Sequence, residues 1–269
     1  MVDLLPAPAV VVGIDGSRTA VNAAVWAIDE AVGRDIPLRL VYAIDPVHLA
    51  ATDGDHSQFA CARAALHEAR RTVEATGAPV KVETEIVCGK PLATLAGESR
   101  SAAMVCVGAI GTEHACRGSS SVVAALPGLA HCPVAVIRPP ARRAANTGVG
   151  SIIAEADNDV VLHHAFAQAR LRGAPLRAVV SWRPEVPDDI ADGSRWAQAY
   201  LNRRLDRWTR LYPDVAVESV AAYGSLCEYL AKNAAPVDVL VAGPKCGRCA
   251  SGSPGRVECS VLTVPGDHL

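Results

Sequence analysis

One segment of this chain occurs twice. Ala27 to Ile44, AIDEAVGRDIPLRLVYAI, lines up without a gap on Ala165 to Trp182, AFAQARLRGAPLRAVVSW, so that Pro37-Leu38 falls on Pro175-Leu176. Further on, Cys88-Gly89 answers to Tyr223-Gly224, Met104 to Gly108 answers to Val239 to Gly243, and Cys132-Pro133-Val134 answers to Cys259-Ser260-Val261. Self-similarity over such a distance means two copies of one folding unit, each of which must be buildable from about half the chain. Pro139 to Gly150, PPARRAANTGVG, has the Pro, Arg, Gly and small-residue content of a linker. The boundaries read from this are a first domain over 1–140, a linker over 141–150 and a second, shortened domain over 151–269.

Within the first copy, short apolar runs alternate with helical patterns. Ala9 to Ile14 is a valine-rich run without polar interruption, as expected of a strand buried on both faces. Asp15-Gly16-Ser17 closes it. The helix that follows, to about Gly33, carries Val21, Val25, Ile28 and Val32 at helical spacing, and these are expected to form its packing face. Leu38 to Ile44 reads as a second strand. Gln58 to Thr76 is a second helix with Leu66, Ala69 and Val73 on one side, and Val80 to Val87 alternates like a strand near a sheet edge. A third helix starts at Pro91, in the first turn where proline is tolerated. Strands alternating with helices imply parallel pairing with right-handed crossovers. The fold expected is α/β: two tandem five-stranded parallel sandwiches of Rossmann-like type, the second truncated.

Met104 to Arg138 carries the chemistry. An apolar strand ends at Gly108, and a loop rich in glycine and serine follows, with Gly108, Gly111 and Gly118 and then Ser119, Ser120 and Ser121. A small-residue helix over roughly Val122 to Ala130 comes next, then the strand Val134 to Ile137. A loop of this kind presents backbone N–H groups and hydroxyls at a helix N-terminus, where the helix dipole favours an anion. It is not a P-loop, because the Gly89-Lys90 pair is followed by Pro91. The alternative reading is a turn that needs glycine and a helix that needs a serine cap.

The second copy departs at these positions. Its first strand runs into Asp157-Asn158-Asp159 in place of Asp-Gly-Ser, and the stretch from Gly243 to Cys259 is eight residues shorter than that from Gly108 to Cys132. The missing length is most of a helix.

Composition narrows the partners. Lysine and arginine number 26 against 28 acidic residues, a formal net charge of −2 without a basic cluster, which argues against nucleic acid. No apolar run reaches the length of a membrane span, and the N-terminus lacks the basic segment of a signal peptide. A cytoplasmic protein is expected. Nine cysteines without a tight framework, most in apolar company as at Cys88 and Cys106, read as reduced thiols. Cys246 and Cys249 form one CxxC pair without a second, a weak signal for a metal or redox site. Trp196, Tyr200 and Leu211 or Trp208 are expected to pack one face of a helix. There is no G-x-S-x-G, no H-E-x-x-H and no recognisable carboxylate pair, so neither catalytic nor metal-binding residues are assigned.

The VVVGIDGS opening, the RDIPLRLVYAI strand, the G-x-x-G loop with its Gly/Ser cluster and the HCPVAVI close together resemble the universal stress protein family, and the tandem arrangement resembles its actinobacterial, mycobacterial-type members. The resemblance covers nearly the whole chain and is strongest over residues 9 to 138. It implies a stress-response or dormancy regulator rather than an enzyme, and ATP, with Mg2+ if ATP is bound, as the ligand of the first domain. Asp15 then matches the acid beside the adenine, flanked by Gly13, Ile14, Gly16 and Ser17, and Ala43 matches the residue whose backbone meets the base. Gly108 and Gly111 match the pair approached by ribose and phosphates. Ser120-Ser121 stands at the family's Gly-Ser position in a loop one residue short, with Gly118-Ser119 two residues early. The partners expected are ATP or another adenine nucleotide and a protein of unknown identity. A homodimer is left open. The alternative is an interaction scaffold whose nucleotide sites have decayed.

Overall fold

The computed structural model describes residues 8–46, 55–109, 120–139, 150–183, 190–233, 237–246 and 259–266. The chain divides into two compact units, Met1–Pro139 and Pro140–Leu269.

The first unit runs β1 (Val10–Gly13), α1 (Arg18–Arg34), β2 (Leu38–Ile44), α2 (Asp55–Glu74), β3 (Val82–Cys88), α3 (Pro91–Glu98), β4 (Met104–Gly108), α4 (Ser120–Leu129) and β5 (Val134–Ile137). Its strands are parallel and ordered β3-β2-β1-β4-β5. The chain therefore enters in the middle, builds outward to one side, then crosses over and builds to the other. The strand order reverses between β1 and β4, and a crevice at the carboxyl ends of such strands is where open α/β sheets take ligands. The valines of β1 are fully buried, as a strand covered by helices on both faces requires.

The second unit repeats the plan with β6 (Ser151–Glu155), α5 (Asp159–Arg172), β7 (Leu176–Trp182), α6 (Ile190–Leu211), β8 (Val217–Tyr223), α7 (Leu226–Lys232), β9 (Val237–Ala242) and β10 (Ser260–Thr263), ordered β8-β7-β6-β9-β10. From Ile152 onward the register matches the sequence repeat, after an irregularity between Ser151 and Ile152. Val10 pairs with Leu38 and Met104, and Ile152 pairs with Leu176 and Val239. Leu38 thus stands for Leu176 and Met104 for Val239, as the ungapped alignment requires. Backbone hydrogen bonds repeat too: Val10 N–H donates to the Pro37 carbonyl at 2.9 Å, and Ile152 N–H to that of Pro175 at 2.9 Å. Helix α1 ends at Asp35 with φ 52°, and α5 ends at Gly173 with φ 58°, the same left-handed position in each copy.

Three expectations are corrected. Of the four valine and isoleucine positions named on α1, only Ile28 is buried; Val25 and Val32 are exposed. The packing face is made mostly of alanine, Ala20, Ala23, Ala24, Ala27 and Ala31 with Ile28, small side chains that let the helix lie close to the sheet. Trp196 is 67% exposed and Leu211 54%; Trp196 stacks on Tyr200 rather than into the unit, and the buried side of α6 is Ala197, Leu201, Leu205 and Trp208. Cys88 and Cys61 are exposed, so buried thiols are not the rule; among the described residues Cys106, Cys132 and Cys259 are the buried ones. By contrast, Leu66, Ala69 and Val73 of α2 are buried together as expected.

Candidate functional site

The switch point of the first unit opens into a cleft of about 480 Å³. That size falls within the roughly 300–1,000 Å³ of small-molecule sites. Gly13, Ile14 and Asp15 at the end of β1 form one wall with Val107 and Gly108 at the end of β4. Tyr42, Ala43 and Ile44 at the end of β2, with Asp45 after them, form the second. Gln58 of α2, Leu95 of α3, and Val122 and Val123 of α4 complete it.

Local geometry explains the residue types. Gly16 adopts φ +82°, a left-handed conformation that glycine takes without strain. This turn lets Ser17 become the N-cap of α1, its hydroxyl accepting from the Ala20 N–H at 3.2 Å. The Asp15 carboxylate accepts from the Ser17 N–H at 2.9 Å and remains exposed at the cleft. The capping reading of Asp15-Gly16-Ser17 is therefore realised, and Asp15 keeps acceptor capacity for a ligand, since an ionised carboxylate offers about four lone-pair sites. At Gly108 a side chain has no room: a Cβ would stand 2.4 Å from the Thr19 carbonyl carbon. Burial pushes the Tyr42 phenol above its ordinary value, and the neighbouring Cys61 and Asp15 push it further the same way.

Of the residues singled out from sequence, Gly13, Ile14, Asp15, Ala43 and Gly108 line this one cleft, and Gly16 and Ser17 form the turn directly beneath it. Ser120 and Ser121 open α4, whose next residues Val122 and Val123 face the cleft. Gly111, Gly118 and Ser119 lie outside the described residues. Tyr42, Asp45 and Gln58 were not foreseen. Tyr42 and Asp45 could have been found by extending from Ala43 along the end of β2; Gln58 had no sequence signal, because a polar residue on the first turns of a surface helix is ordinary.

Elsewhere the chemistry is sparse. Among the described residues no group of three or more His, Cys, Asp or Glu is placed to hold a metal ion. Cys246 packs beside the apolar cluster of Ile153, Leu226 and Val261, while Cys249 lies outside the described residues. No helix of the described residues is long and apolar enough to cross a membrane.

Residues 8–138 match the model of the universal stress protein family. A universal stress protein of Mycobacterium tuberculosis strain H37Rv is 56% identical over 272 residues, covering all of both chains. A second universal stress protein of that strain is 45% identical over 277 residues, covering 97% of this chain and 98% of its own. Among solved structures, a universal stress protein from Archaeoglobus fulgidus superimposes with a TM-score of 0.67 at 15% identity over 96% of each chain, a likeness of fold.

Proposed function

The chain belongs to the universal stress protein family, and from that premise we propose that its first unit is a regulatory module that binds an adenine nucleotide, ATP foremost, in the switch-point cleft. The observation that carries the reading is the meeting of Asp15, Ala43 and Gly108 in one cleft, with a glycine where the end of β4 lies against the backbone at the start of α1. The base lies against Ala43 with its exocyclic amine toward the Asp15 carboxylate. Ribose and phosphates pass over Gly108 toward Gly111, Gly118, Ser119, Ser120 and Ser121. Among the described residues the cleft walls carry two carboxylates, Asp15 and Asp45. Mg2+ would accompany the phosphates, held by their oxygens and by water. Occupancy shifts an interaction with a protein partner in stress adaptation or dormancy, without catalysis.

The test is a melting curve of the full chain with and without millimolar ATP and Mg2+. Ligand at a hundred times its dissociation constant stabilises by about 2.7 kcal/mol. The reading expects an upward shift in melting temperature that is lost in Asp15→Ala and in Gly111→Ala. Absence of a shift in the folded wild type overturns it and leaves the scaffold reading. The second unit already favours that reading for its own half, since Glu155 occupies the end of β6 where the first unit has Gly13.

A further inference from the structure

The two switch points can be compared position by position, because the strand registers coincide. Glu155 stands where the first unit has Gly13, Gly243 where it has Gly108, and Trp182 where it has Ile44. In the first unit these three positions border an open cleft. In the second they touch one another or their neighbours. The Glu155 carboxyl accepts the Gly243 N–H at 2.9 Å, so an acid already sits on the backbone group next to the switch point. At the other end the Trp182 ring packs on Gly193 of α6 so closely that a Cβ there would stand 2.5 Å from the ring. The Tyr223 ring meets Trp182 edge-on at 5.7 Å.

We propose that the second unit's cleft is closed by its own side chains, Glu155 at the anion end and Trp182 at the base end, and takes up no nucleotide. The first turn of α5 strengthens the exclusion. Its N-cap Asn158 accepts from Val160 N–H at 2.7 Å, and Asp157 and Asp159 put two carboxylates where an anion would approach the helix dipole. The charged groups about Glu155 are Asp157, two residues after it, and beyond Asp157 the guanidinium of Arg204 of α6, bonded to Asp159. Burial holds Glu155 above the usual carboxylate range. That the chain then has one nucleotide site in total rests on the reading of the first unit; the closure of the second does not.

Amide NMR of the full chain tests this. The Gly243 amide should shift with pH along the titration of a carboxyl whose midpoint lies above the ordinary range, and Glu155→Gln, which keeps the acceptor oxygen but cannot ionise, should abolish that titration. Millimolar ATP with Mg2+ should leave Gly243, Asp157 and the Trp182 indole unmoved. A Gly243 amide indifferent to carboxyl titration in the wild type, or one that moves when ATP is added, overturns the closure. Gly13, Asp15, Ala43 and Gly108 report on the first unit in the same spectra. If neither unit responds to ATP, the closure stands and the nucleotide reading of the first unit falls.

Discussion

Gly108 lies directly against the backbone of Thr19. A Cβ at position 108 would stand 2.4 Å from the Thr19 carbonyl carbon, 2.5 Å from its oxygen and 2.6 Å from the Ala20 nitrogen. Backbone cannot rotate aside as a side chain can, so Gly108→Ala must push α1 away from β4. Overpacking of this kind costs about 1–3 kcal/mol. At Gly243, the equivalent position, a Cβ would meet, among the described residues, the Glu155 carboxyl oxygen at 3.5 Å. Urea unfolding should therefore show a clear loss of stability for Gly108→Ala and a smaller one for Gly243→Ala. Equal losses would mean that the close approach at Gly108 is not what fixes the glycine.

Much of this fold was legible, and the reason lies in particular residues. Pro37-Leu38 and Pro175-Leu176 set the repeat without a gap, and the strand register follows it through Val10–Gly13 and Ile152–Glu155. Asp15, Ala43 and Gly108 are far apart in sequence, yet each ends a strand beside the switch point, and topology alone brings them together. Side-chain environment was harder to read. Helical spacing marked the valines of α1 as the inner face, but alanine is apolar too, and the closeness that Gly108 and Thr19 enforce selects alanine. Trp196 looked like core because it is aromatic; only the packing of Leu201, Leu205 and Trp208 shows that it sits on the other side of α6. The Glu155 contact with Gly243 spans 88 positions and has no local signature.

The two sides of α6 give a paired prediction. Trp208 is 7% exposed and stacks with Phe166 at 5.9 Å between ring centres. Truncation of a large buried aromatic costs about 3–5 kcal/mol, so Trp208→Ala should lower the denaturation midpoint sharply. Trp196 touches Tyr200 in a parallel stack at 5.6 Å with most of its surface in solvent. Trp196→Ala should stay within about 0.5 kcal/mol of wild type, as surface substitutions do. A large loss from Trp196→Ala would show that its stack on Tyr200 carries packing energy.

Thiol reactivity should follow burial. The thiolate is the reactive species, and burial pushes the Cys132 thiol up to about 12. Cys106 and Cys259 are also buried, whereas Cys61 and Cys88 are exposed. Brief alkylation of native protein at neutral pH, followed by peptide mass mapping, should label Cys61 and Cys88 and spare Cys106, Cys132 and Cys259 until denaturant is added. Early labelling of Cys132 would show that the sheet face it packs into opens readily. Cys61 neighbours Tyr42 at the cleft. Slower labelling of Cys61 in the presence of ATP would therefore be a second, independent sign of ligand in the first unit.

The pH dependence of stability separates Glu155 from the surface acids by sign. Glu155 is held above the usual carboxylate range chiefly by burial, which the Gly243 N–H partly offsets and the neighbouring Asp157 reinforces. A group whose folded value is raised binds protons more tightly in the folded state, so its contribution is full below the unfolded value, near 4, and is lost as pH rises through the folded value. Asp214 and Glu228 have the opposite sign. Arg170 lowers the first, and the Ser225 N–H in the α7 capping box lowers the second. Their contributions are present above the unfolded values and are lost as pH falls. Total stability therefore mixes the two signs, but the difference between wild type and Glu155→Gln does not, because Gln is silent. Measured by urea unfolding across the weakly acidic range, wild type should lose stability relative to Glu155→Gln as pH rises, then level off once Glu155 is ionised in both states. Wild type gaining stability relative to Glu155→Gln as pH rises would mean that hydrogen bonding, and not burial, dominates at Glu155.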